Sequence, residues 1–199
     1  MPDLITATGA PSTFKVHEAG QFVAQCVDVI DLGEKVQDFP GSKPYLAPAC
    51  AIVFRTGEKN EDTGEYIDLA SEFTVSMGEK ANLRKFLAQW RGRPYTTEEI
   101  TQGVPLHKLP GNHGLLTVAH RESKKGKTYA NITACVGIPK QMAGSVTKYE
   151  NYVRDEYWET KKQEYAAAAG RFRGEQLSNS AEGDDFPSAL QDGDDDLPF

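Results

Sequence analysis

Apolar and polar residues alternate along five short stretches of this chain, and in one stretch they follow a helical period. Alternation argues for half-buried strands, because successive strand side chains point to opposite faces. The first stretch is 20–32, GQFVAQCVDVIDL. It is Val-rich and partly alternating, which predicts a strand that bends across two sides of a barrel and is closed by Gly33. Pro40-Gly41 and Pro44 mark a loop over 34–44. The second stretch is 45–55, YLAPACAIVFR. Its set Leu46, Cys50, Ile52 and Phe54 is assigned to the core, and Tyr45, Ala47, Ala49, Ala51, Val53 and Arg55 to the opposite face. Residues 56–65 form a polar hairpin loop before a third strand, 66–77, in which Ile67, Leu69, Phe73 and Val75 oppose Tyr66, Asp68, Glu72 and Thr74.

A helix follows. Leu83, Phe86, Leu87 and Trp90 fall at i, i+3, i+4 and i+7, which predicts one buried stripe and places Trp90 in the core. Ser76 and Glu79 have the spacing of a capping box, and Gly92 and Pro94 end the helix. A shorter helix, 97–100, starts at a Thr cap. Two more strands, 115–121 and 128–138, form a hairpin around the turn at 122–127. Ala130, Ile132, Ala134 and Val136 are assigned to the core side of the last strand.

Three strands, a helix and two strands is the order of an OB-fold, a five-stranded Greek-key barrel that binds oligonucleotides on its strand 2–3 face and adjoining loops. The fold expected is all-β with a minor helix. Residues 1–19 form a flexible arm, 20–148 the barrel, and 149–173 a segment compatible with a C-terminal helix. Residues 174–199 are too polar to offset ordering entropy and are expected to be a disordered acidic tail.

Charge sharpens this division. The 199 residues carry a formal net charge of −7. Eight of the 29 acidic residues, and none of the 22 basic ones, lie in 174–199. The preceding chain therefore holds 21 acidic and 22 basic residues, a net of +1. An acidic tail on a near-neutral body points to nucleic-acid binding or to a partner-docking tail. Hydrophobic residues make up 39%, enough for a core, and no run approaches the ~18 apolar residues of a membrane helix. The N-terminus lacks the basic and apolar regions of a secretory signal, so a cytoplasmic protein with no membrane partner is expected. Cys26, Cys50 and Cys135 are widely spaced in apolar runs and read as buried packing residues.

The chain ends in Asp194, Asp195, Asp196, Leu197, Pro198 and Phe199. A partner could bury the Phe199 ring, pair a basic residue with the α-carboxylate, and meet the aspartates with a basic rim. Pro198 stiffens the approach and lowers the ordering cost. The ending resembles that of the bacterial single-stranded DNA-binding proteins, an acidic run followed by Ile-Pro-Phe or Leu-Pro-Phe. The resemblance implies that the tail recruits replication, recombination and repair proteins and can compete with DNA for the barrel.

Single-strand binding by the body requires cations for phosphates and exposed flat side chains for bases. The residues assigned away from the core are Tyr45 and Arg55 on strand 2, Tyr66 on strand 3, Arg121 on strand 4, and Tyr129 and Asn131 on strand 5. Lys124, Lys125 and Lys127 make the last turn cationic. The blocks EKANLRKFLAQWRGRPYTTEEI (79–100), Val29 to Gly33 and Gly126 to Ile132 resemble those of small phage-encoded proteins of similar length. That resemblance, over roughly residues 20–140, implies OB-fold single-stranded DNA binding in phage replication.

Nothing in the sequence points to catalysis. His17, His107, His113 and His120 lack metal-ligand spacing, and there is neither a Walker A nor a GxSxG motif. No cofactor or metal is expected. Two classes remain: a protein that coats single-stranded DNA and recruits partners, or an interaction protein whose tail occupies a host docking pocket without binding DNA.

Overall fold

The computed structural model describes residues 15–123 and 126–181, without the side chains of 143–145 and 177–181. Five antiparallel strands form one sheet: β1 (Gly20–Gln37), β2 (Tyr45–Arg55), β3 (Leu69–Thr74), β4 (His113–Glu122) and β5 (Thr128–Val136). Their order is β3-β2-β1-β4-β5. The edge strands β3 and β5 approach each other, so the sheet curls around an interior. Helices α1 (Asn82–Arg91) and α2 (Thr97–Gln102) lie between β3 and β4, and α3 (Glu156–Ala181) ends the described chain. The described residues are thus mostly β with three α-helices. Among the described residues, no helix is long and apolar enough to cross a membrane.

β1 is longer than its alternation suggests. It runs through Gly33 to Gln37, pairing with β2 throughout its second half and with β4 in its first. Register shifts at Val27 and Leu32 make this possible. An extra residue flips the faces that follow it. Before the first shift, Ala24 and Cys26 point into the curled sheet; after it, Ile30 points to the opposite side. Gly33 does not close the strand. It adopts φ 75° at the second shift, and its N–H is satisfied by Asp31 Oδ1 at 2.9 Å.

The interior is filled by Ile52, Phe54, Leu69, Leu116, Val118 and Ile132, and closed at one end by Leu83, Leu87 and Trp90 of α1. The helical stripe read from the sequence is thus the buried face. The Trp90 indole N–H donates to the His113 carbonyl at 2.9 Å, so its polar edge is satisfied. The expected cap at Ser76 is not present. α1 begins at Asn82 after Ala81, which offers no side-chain cap, while Ser76 Oγ accepts from the Gly78 N–H instead. The short helix does have its Thr cap. Thr96 and Glu99 form a reciprocal capping box.

Three strands depart from the expected pattern, in face, extent or cover. In β5, a register shift leaves Thr133 unopposed, so Ile132 and then Cys135 face the interior and Ala134 and Val136 do not. In β3, the ladder is only six residues, and Tyr66 precedes it in an isolated bridge to Lys59. In β2, both faces are buried. Ala49, Ala51 and Val53 lie in a second apolar cluster with Ile30, Leu32 and Trp158, covered by α3. The last helix also departs from its expected bounds, beginning at Glu156 and continuing past Gly174 to Ala181.

Candidate nucleic-acid interface

The outer face of β1–β3 is the surface that an OB-type reading nominates, and α3 lies on it. Small side chains at Ala49 and Ala51 let the helix approach, and Trp158 and Ala169 are buried at the contact. Polar pairs flank this apolar seam. Arg154 donates to both Asp28 oxygens at 2.8 and 3.1 Å. Lys161 pairs with Glu72, which also accepts from the Tyr165 hydroxyl at 2.6 Å, and Arg173 pairs with Glu34. Burial alone would raise the Glu72 carboxyl, but hydrogen bonds from Lys161 and Tyr165 reverse the sign and hold it below its usual range.

Arg55 ends β2 and is committed to this structure. Its Nε and Nη2 each reach Asp68 at 2.7 Å, and its guanidinium lies 4.3 Å from the Tyr66 ring centroid and 5.3 Å from that of Tyr152. The hydrogen bonds to Asp68 raise its pKa further. A bidentate, stacked Arg has little capacity left for a phosphate. The Tyr66 ring carries Lys59 at 4.6 Å as well as Arg55, and Tyr149 packs against it edge-on. A base would have to displace these neighbours to stack there.

The β4–β5 hairpin is different. Arg121 and Tyr129 are exposed and directly opposite each other across the ladder. Lys127 is exposed, and its backbone N–H closes the turn on Ser123 Oγ at 3.0 Å. Gly126 supplies the positive φ of 72° that the turn needs. Asn131 is half-buried opposite Ala119, nearer the sheet than the rim. Tyr45 is exposed at the start of β2, far along the sheet from this hairpin. Lys124 and Lys125, and the terminal Asp194, Asp195, Asp196, Leu197, Pro198 and Phe199, lie outside the described residues.

Phe39 and Lys80 share a cleft with Tyr45, and Lys43 lies two residues before it. Phe39 is 52% exposed in the β1–β2 loop, Lys43 is exposed in the same loop, and Lys80 is exposed ahead of α1. The face-by-face reading of strands passed over them because none lies on a strand. An aromatic beside Pro40-Gly41 in an otherwise polar loop was the available signal. The three cysteines are free and buried; burial pushes the thiols of Cys26 and Cys135 up to about 12 and that of Cys50 to about 11. At neutral pH they are packing groups, not nucleophiles.

Comparison with family models gave no match, and neither did comparison with curated proteins.

Proposed function

We propose that this protein binds single-stranded DNA without sequence preference, in replication or recombination, and recruits partner proteins through its acidic C-terminal segment. The observation that carries the reading is the free end of the β4–β5 hairpin. There Arg121, Lys127 and Tyr129 are exposed together, in a turn that also contains Lys124 and Lys125 in sequence. A cation beside a flat ring at a hairpin rim matches the requirements of phosphate and base. The architecture supports it. A long bulged β1 shared by both halves of a curled sheet, with a helix between β3 and β4, is the arrangement expected of an OB-fold. The free thiols suit a cytoplasmic setting, and the role is binding rather than catalysis.

The test is titration of fluorescently labelled oligo-dT at several salt concentrations, with the full chain and with a chain ending at 181. Binding is expected at micromolar Kd or tighter, weakening as salt rises. Replacing both Arg121 and Lys127 with Ala should flatten the slope of log K against log salt by about 1.4, as two lost phosphate contacts require. An unchanged slope would remove the hairpin from the interface. One observation favours the second reading, an interaction protein without DNA affinity: α3 closes the sheet face on which OB-folds usually hold a strand. Failure of both chains to bind oligo-dT at low salt would leave that reading in place.

A further inference from the structure

The closed face raises the question of where bases would stack. The surface beneath α3 presents Asp28, Glu34 and Glu72 to the helix, each paired with one of its cations or with that of the preceding turn. Were α3 to lift away, a phosphate backbone would meet three carboxylates set in an apolar sheet. Lys35 offsets only one of the three, so that surface would disfavour a strand.

A cleft of about 880 Å³ opens between the β1–β2 loop and the approach to α1. Phe39 and Tyr45, 52% and 47% exposed, line it together with Phe73. Lys35 and Lys80 line it, and Lys43 lies in the same loop as Phe39. Among the described residues, Lys43 and Lys80 have no ionic partner. Of the two carboxylates in the lining, Glu72 is already neutralised by Lys161 and Lys35, and Glu79 is exposed beside Lys80. Two half-exposed rings six positions apart, flanked by unpaired cations, fit a flat uncharged group attached to an anionic chain.

We propose that this cleft is a base-stacking site, holding one or two bases of a single strand against Phe39 and Tyr45 while Lys43 and Lys80 meet the adjoining phosphates. The proposal rests on the DNA-binding reading above, and it places the track over the loop and helix edge instead of across the β1–β3 face. Both rings are solvent-facing, so their removal leaves the core untouched.

The experiment uses the full-length chain and a fluorescein-labelled oligo-dT of about 20 nucleotides, followed by anisotropy. Phe39→Ala and Tyr45→Ala should each weaken binding by about 5- to 150-fold, the range of one lost stacking contact, with unchanged thermal melting. Tyr45→Phe should retain affinity. Phe39→Trp should bind and show quenching on adding oligo-dT, since Trp90 and Trp158 are buried. If the two Ala variants bind like the parent while Arg121→Ala or Lys127→Ala weakens binding, the cleft is excluded and the function stands. If the Ala variants keep oligo-dT affinity but lose binding of an added DDDLPF peptide, the cleft takes peptide and the proposal fails. If the parent binds no oligo-dT, both readings fall together.

Discussion

At position 114 the chain has no room for a side chain. A Cβ there would lie 2.7 Å from Cys135 Sγ and 2.8 Å from Trp90 Nε1. The indole is held by its bond to the His113 carbonyl, and Cys135 is fully buried, so neither yields cheaply. Gly114→Ala is therefore expected to cost about 1–3 kcal/mol in urea unfolding, as overpacking does. Retained stability would show that the contact between α1 and the sheet is looser than described. Trp90 itself was legible from its place on the helical stripe Leu83, Phe86, Leu87 and Trp90. Arg55 and Tyr66 were less so. Alternation tells which side of a strand a residue faces, and both do leave the interior. It does not tell what waits there, here Asp68, Lys59, Tyr149 and Tyr152.

Among the elements, local rules succeeded where the interactions are local. Thr96 and Glu99 lie three residues apart and cap α2 as their types dictate. Arg91, then the Thr96 backbone N–H, holds the Glu99 carboxyl down to about 2 from an ordinary 4.5. A depressed carboxyl contributes stability above its unfolded pKa and loses that contribution as pH falls through the folded value. The Tm difference between the parent and Glu99→Gln should thus be largest above pH 4.5 and shrink toward pH 2. A difference constant over that window would mean that Glu99 acts through something other than its charge. The same spacing at Ser76 and Glu79 did not make a cap, because the chain turns at Gly78 and enters the helix only at Asn82. The register shifts in β1 and β5 were hidden for a different reason. A bulge is set by which residues pair across strands, and a single strand's sequence does not contain its partner's register.

For the whole molecule, the decisive feature is the α3 layer. Trp158, Lys161, Tyr165 and Ala169 lie at i, i+3, i+7 and i+11 and form its sheet-facing stripe. A lysine in the middle conceals the stripe in the sequence, and it is tolerated only because Glu72 awaits it on β3. Trp158→Ala should cost roughly 3–5 kcal/mol, as loss of a large buried aromatic does, measured by chemical denaturation. A loss below 1 kcal/mol would show that the helix is only loosely seated. By itself the sequence determined the strand-and-helix order, the buried stripe of α1, the burial of the cysteines and the segregation of acidic charge. Each is a matter of local periodicity or of counting along the chain. Only the tertiary structure decided that both faces of β2 are buried, that Arg55 is engaged, and that Phe39, Tyr45 and Lys80 share a cleft. Those outcomes depend on contacts between residues distant in sequence, and periodicity within one element has no term for them.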